Sequence, residues 1–376
     1  MVAGTRRQDM DNLRWMVLLL LIPYHAAMAW NVWGEPNYIF FRGNRWISSS
    51  IVFISPWFMP LLFLLAGIST KFALEKRSGK AYLAERAKRL LIPCAFGTLT
   101  LMPMMTYLAE RFYGTYPGSF FNHYSVFFTR YTDLIGADGG FSFGQFWFLL
   151  YLFLISLFSL GILKLLKETS LNFKKAASLP VLLLMGLPLP LLHEILSIGG
   201  KSFAEYTYFF LVGYFIFANP QTAAILEKNH RWLLALGLIS SFLSVYLFIW
   251  SGKDLPFLNL SFKYVSQWSM VLALLGLSKK HLNFTGRISE YMGRRSILFY
   301  FYHFIWVVIS QYTLYKILGN RTWMLYGLTL LFSYAGTFLS CEISIRIPAL
   351  CFLTGVKYKH SPWGQTPSKS SQTGGL

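Results

Sequence analysis

The chain has 376 residues, of which 55% are hydrophobic and 18% aromatic but only 13% charged. Soluble domains carry about 25% charged residues, so this composition excludes an ordinary soluble enzyme, and a mean hydropathy of +0.47 excludes intrinsic disorder. The formal net charge is +19, from 34 Lys+Arg against 15 Asp+Glu. Those basic residues fall between apolar runs, which points to a membrane rather than to nucleic acid.

A membrane-spanning helix needs roughly 20 apolar residues. In chain order, segments 13–33, 48–70, 90–109, 142–164, 179–196, 203–219, 231–251, 258–278, 296–315 and 323–345 qualify. The first resembles a signal peptide, with Arg6 and Arg7 ahead of it and Ala27-Met28-Ala29 as a cleavage-like site. Its apolar run continues to Trp33, so an uncleaved anchor is the better reading. The fifth contains Pro188 and Pro190, tolerable where neighbouring helices cover the freed carbonyls. With the N-terminus in the cytoplasm, 25 of the 34 basic residues fall in cytoplasmic segments and 8 in external ones. The bias holds at every loop pair, as the positive-inside rule requires. The prediction is an all-α polytopic membrane protein with about ten transmembrane helices and both termini cytoplasmic. The longest loop, 110–141, is external and rich in aromatics. The main domain is read as 1–350, followed by a cytoplasmic tail at 351–376. The end of that tail, 361–376, is Ser/Gly/Thr/Pro-rich and reads as disordered. No internal repeat is visible, which weakens a secondary-transporter reading. Cys94, Cys341 and Cys351 form no CxxC pair, so neither a disulfide framework nor a zinc site is expected. Cys94 and Cys341 read as small buried hydrophobes.

Charges inside spans are costly and often functional. The candidates are Arg14, His25, Lys263, His303 and Glu342. Glu342 precedes Arg346 by four residues, the order that favours a helical ion pair. Lys263 lies near an external end and can snorkel. His193-Glu194, at an external helix end, reads as a polar boundary. Arg14 and His25 are 11 residues apart, which puts them about 20° apart around a helix and roughly 16 Å apart along it. Pro23 loosens the helix before His25 and frees the carbonyl of Leu19. A terminal anchor and a satisfied core histidine are the plainer account of this pair, and the shared face alone does not overturn it. His303 lies in the ninth span, roughly 10 Å from the cytoplasmic side, within reach of the Arg14–His25 face. A packed histidine bonded to a backbone carbonyl fits it equally well.

The cytoplasmic loop 71–89 holds seven basic and two acidic residues and ends in Arg86-Ala87-Lys88-Arg89. Arg86 and Arg89 are helical neighbours at i,i+3. Two guanidinium forks on one face suit a phosphate-rich ligand, since each can bind phosphate oxygens bidentately. A positive-inside stop signal and a contact with anionic lipid headgroups are the competing readings.

Together these features resemble the membrane acyltransferase-3 family. Its first span carries Arg/Lys-x10-His, matched by Arg14 and His25, and its first cytoplasmic loop carries Arg-x-x-Arg, matched by Arg86 and Arg89. Asp11-Asn12-Leu13-Arg14, Trp57-Phe58-Met59-Pro60-Leu61, Arg89-Leu90-Leu91-Ile92-Pro93, Trp147-Phe148-Leu149 and Tyr302-His303 fit the same pattern. The resemblance covers roughly residues 9–350 and is nearer to stand-alone, glucan-modifying members than to those with a fused external hydrolase-like domain. It implies ten core helices in the inner cell membrane, no bound cofactor, and acyl-coenzyme A as cytoplasmic donor. It further implies an external acceptor, commonly a carbohydrate hydroxyl of the cell envelope, with acetyl or succinyl as the group moved. With no fused domain, transfer is direct or completed by a partner protein. On this reading Arg86, Arg89 and the intervening Lys88 bind the donor's phosphates, and Arg14 orients its arm. His25 is the general base, with an acyl-His25 intermediate as the alternative, and His303 orients His25 or stabilises charge. The rival class is a transporter or flippase that moves an envelope precursor unchanged.

Overall fold

A computed structural model of the protein describes residues 7–131, 140–168 and 178–358. The chain runs α1 (Gln8–Leu19), α2 (Leu21–Met28), α3 (Arg45–Leu74), α4 (Gly79–Arg86), a π turn (Ala87–Leu91) and α5 (Ile92–Tyr113). Then follow α6 (Phe120–Phe127), α7 (Trp147–Glu168), α8 (Leu179–Leu184), α9 (Leu189–Glu194), a two-residue hairpin β1–β2 (Ser197–Ile198, Lys201–Ser202) and α10 (Phe203–Val212). The rest is α11 (Pro220–Val245), α12 (Pro256–His281), α13 (Arg287–Leu318), α14 (Thr322–Ser344) and α15 (Pro348–Leu353). Polar caps set several starts. The side chains of Asn44, Ser78, Ser119, Ser202 and Asn219 accept from backbone N–H groups that would otherwise be orphaned in the first turns of α3, α4, α6, α10 and α11.

Among the described residues, six helices are long and apolar enough to cross a membrane: Arg45–Leu74, Gly79–Tyr113, Gly144–Leu165, Pro220–Trp250, Arg287–Leu318 and Thr322–Ser344. Leu179–Glu194 and Phe203–Phe217 are apolar but shorter. Every one of the ten segments read from sequence is thus helical, but not every one is a simple rod. The first breaks at Leu20 and the fifth between α8 and α9, in both cases close to prolines, which remove backbone donors. Segment 258–278 lies in α12, 26 residues long but with Ser, Asn, Gln and Lys side chains along it. Large apolar side chains point outward from the long helices, among them Phe158, Phe242, Leu331 and Leu339, as a lipid-facing surface requires.

The most buried of the six is α3. Its close contact with α10 and the turn that follows it, Gly213–Phe217, rests on two glycines. A Cβ on Gly67 would meet the Phe210 carbonyl oxygen at 1.9 Å, and one on Gly213 the Leu64 oxygen at 2.3 Å. Small residues at such a crossing let the backbones touch. The start of α1 is pinned by the fully buried Asn12. Its amide donates to the carbonyls of Leu282 (2.8 Å) and Phe284 (2.9 Å), and its oxygen accepts from Trp15 Nε1 and the Ser289 hydroxyl. Ordered structure continues past position 350. α15 crosses that boundary, Cys351 is buried and the chain is placed to Tyr358, because Val356 N–H closes onto the Cys351 carbonyl at 2.8 Å. The tail expected to be disordered, 361–376, lies outside the described residues. Cys94 and Cys341 are buried and unpaired, as expected of small hydrophobes.

Candidate active site

The start of α1, the α3–α5 connection, the start of α13 and the chain beyond α14 meet at one end of the bundle around a cavity of about 1390 Å3. Its walls are stripes at helical spacing: Asp11, Arg14 and Leu18 on α1; Leu62, Ala66, Ser69 and Ala73 on α3; Gly293, Ile297 and Tyr300 on α13. Steps of three and four residues keep each stripe on one face. The stripes run from charged residues at the mouth to Leu62, Phe148 and Tyr300 at the inner end. Seven Arg or Lys side chains line the cavity against three Asp or Glu.

Consecutive residues of α3 position two of the arginines. Arg14 donates to Ser69 Oγ (2.8 Å) and to Asp11 Oδ1 (2.9 Å). Arg86 donates to Thr70 Oγ1 (3.1 Å) and lies over the Tyr82 ring at 5.2 Å. Thr70 and the Tyr82 hydroxyl are themselves hydrogen-bonded at 2.8 Å. Arg89 pairs with Glu85 at 3.1 Å, and Arg77 closes on the same carboxylate. Arg86 is within electrostatic range of both Arg14 and Arg89. The π turn that carries Lys88 and Arg89 adds a residue to the helix where its face changes, a common feature of functional sites. Arg86 and Arg89 line the cavity, but Lys88 is exposed and does not. Arg86 and Arg89, three residues apart, thus share the cavity face, and Lys88 lies off it.

Beyond the inner end of the cavity stand two histidines. Tyr300 lines it and His303 follows three residues later, less than one helical turn away. The rings of His25 and His303 are 5.2 Å apart, and His25 stacks on Phe304 at 4.0 Å. His303 is fully buried and contacts the Tyr300 carbonyl through Nδ1 at 2.6 Å. A carbonyl only accepts, so Nδ1 carries the proton, and Nε2 is left buried without a partner among the described residues. His25 is part-exposed, and neither of its ring nitrogens has a hydrogen-bond partner among the described residues. Stacking therefore fixes the ring while leaving both nitrogens free. The opened helix around it is satisfied from α13 and α14. Tyr334 donates to the Leu19 carbonyl (2.8 Å), the group freed by Pro23, and Gln311 donates to the Ala26 carbonyl (3.0 Å).

Glu342 accepts chiefly from Arg295 Nε (2.5 Å) and the Tyr291 hydroxyl (2.7 Å) of α13, and the expected pair with Arg346 is longer at 3.4 Å. An interhelical tie thus outweighs the local one. Sequence reasoning missed Glu205. It is buried in α10, bound by His193 Nδ1 and Gln267 Nε2, each at 2.6 Å. An acid inside the sixth predicted span was a readable signal. Lys201 of β2 lies over the Trp147 ring at 5.7 Å and within electrostatic range of His25 and Glu205. Burial holds its ammonium below the usual lysine range, with Glu35 opposing and Lys263 adding to the shift. Arg294, Arg346 and Lys357 also line the basic cavity, and nothing in the sequence sets them apart from other positive-inside residues. Among the described residues no cluster of His, Cys, Asp or Glu is placed to hold a metal ion.

A family model for an acyltransferase domain, that of the acyltransferase-3 family, matches residues 7–342. No curated protein and no solved structure matches the chain.

Proposed function

We propose, from the premise that the chain belongs to the acyltransferase-3 family, that it moves an acyl group from acyl-coenzyme A to a hydroxyl of a cell-envelope acceptor. The six apolar helices and the family make it a multi-pass membrane acyltransferase. The observation that carries the finer reading is the cavity, which is cationic at its mouth and apolar at its inner end. That end closes within a helical turn of His303, whose ring faces His25 at 5.2 Å.

The proposed topology has ten spans in the inner membrane, with both termini and the cavity mouth on the cytoplasmic side. Arg86 and Arg89 hold the donor's phosphates by charge-assisted bonds. Arg14 orients the arm that runs inward, and His25 lies roughly 16 Å further along, a distance an extended pantetheine arm covers. The acceptor, a carbohydrate hydroxyl in this reading, enters from the opposite side. Its oxygen attacks the thioester carbonyl as His25 takes its proton. The carbon–sulfur bond then breaks, and the coenzyme A thiolate leaves with that proton. His303, its Nδ1 proton fixed by the Tyr300 carbonyl, positions His25. The acyl group is acetyl or succinyl, and a partner protein completes transfer if the acceptor lies beyond reach.

The test is thioester cleavage by protein reconstituted in lipid nanodiscs. His25→Ala is expected to lose at least a hundredfold in turnover while binding coenzyme A as before. Full turnover in that variant removes His25 from the mechanism. A protein that moves substrate unchanged and ignores acyl-coenzyme A is a transporter instead.

A further inference from the structure

The rim of the basic cavity carries cations beyond those of the arginine pair. Arg294, at the start of α13, and Lys357, beyond α15, both line it, both are exposed, and neither has a carboxylate partner among the described residues. Arg14 and Arg86 are part-buried by comparison. Arg89 is exposed too, but it is paired with Glu85. The cavity thus holds an inner set of arginines anchored by α3 or by Glu85, and an outer set at the rim that forms no ion pair among the described residues.

The position of Lys357 is built into the fold. Gly355 has φ +74°, and a Cβ there would meet the Arg89 carbonyl oxygen at 2.8 Å and the Pro93 ring at 3.1 Å. Only glycine takes that conformation at that distance without strain. The chain after α15 is therefore seated on the backbone of the π turn that carries Arg89. Thr354, fully buried, closes the preceding helix through its hydroxyl onto the Leu350 carbonyl at 2.6 Å. Two residues beyond the seat, Lys357 enters the cavity wall.

We propose that Arg294 and Lys357 form a second, outer phosphate site, which takes the ribose 3′-phosphate of a coenzyme A donor while Arg14, Arg86 and Arg89 take its diphosphate. The assignment rests on the donor reading above. The arm that runs inward leaves from the diphosphate, so that group lies with the inner set. The 3′-phosphate, on the ribose, lies outward of it. A phosphate dianion there meets two cations that form no ion pair among the described residues, with Glu290, four residues before Arg294, on the same wall.

The experiment compares binding of coenzyme A and dephospho-coenzyme A to the full chain in nanodiscs by calorimetry. The wild type is expected to prefer coenzyme A by about tenfold, the scale of one or two charge-assisted bonds. The R294Q/K357Q protein, changed only at exposed positions, should bind the two alike, at the level of dephospho-coenzyme A. Gly355→Ala, which lifts the segment off its seat, should lose the preference with both cations intact. Equal binding by the wild type, or a preference that survives in R294Q/K357Q, overturns the outer site and leaves the donor reading standing. If the wild type binds neither ligand, the donor reading fails, and inorganic tripolyphosphate then judges the rim. Weaker tripolyphosphate binding in R294Q/K357Q sustains an outer polyphosphate site, and unchanged or absent binding ends it.

Discussion

Replacing His303 by phenylalanine separates what this side chain does for stability from what it does for chemistry. The substitution removes the 2.6 Å contact from Nδ1 to the Tyr300 carbonyl, a loss of about 1 kcal/mol. That carbonyl keeps its helical bond, since His303 supplies only a second one. The same substitution removes Nε2, which is buried without a partner and costs about 1–3 kcal/mol as it stands. The surroundings are already aromatic, with the Phe299 ring stacked at 6.5 Å, Phe304 at 6.2 Å and Tyr300 at 5.8 Å. A phenyl ring is slightly larger than imidazole, which returns up to about 1 kcal/mol in crowding. The net expectation is stability unchanged within about 1 kcal/mol, read by thermal unfolding in detergent. Turnover is expected to fall at least tenfold, in kcat rather than in the donor's KM, since His303 acts on His25 and not on the cavity. A variant that keeps full kcat refutes the positioning role. One destabilised by more than about 3 kcal/mol shows that Nε2 is satisfied in the folded protein.

Gly67→Ala should destabilise by about 3 kcal/mol or more, because its Cβ would lie 1.9 Å from the Phe210 carbonyl oxygen and two backbones must part; denaturation in mild detergent reads it, and an unchanged midpoint shows that α3 and α10 do not touch there. His123 gives a pH dependence outside the spans. Burial holds its imidazole below the usual range, against the pull of Glu110, whose Oε2 is 2.9 Å from Nε2. The unfolded chain therefore binds the proton more readily, so this contribution to stability is present above about pH 6.5 and is lost as pH falls below it. Unfolding midpoints between pH 5 and 7.5 should show that slope in the wild type and a flatter one in His123→Phe.

The sequence by itself determined the solvent and the order of the helices. Low charge and long apolar runs follow from the cost of burying polar groups in hydrocarbon, and that cost is local enough to read along a line. The carbonyl freed by Pro23, which Tyr334 indeed satisfies, was legible too, because a proline's missing donor is a local fact. Contact between helices was not. That Ser69 and Thr70 hold Arg14 and Arg86, and that Arg295 rather than Arg346 is the nearer partner of Glu342, depend on how helices cross. Lys201, distant in sequence from His25, comes into its field only in the folded chain, as does Glu205 into that of Lys201. Gly355 looks like any loop glycine until the π turn lies against it. Side-chain partners across helices are set by packing at ångström scale, which a one-dimensional pattern of polarity does not encode.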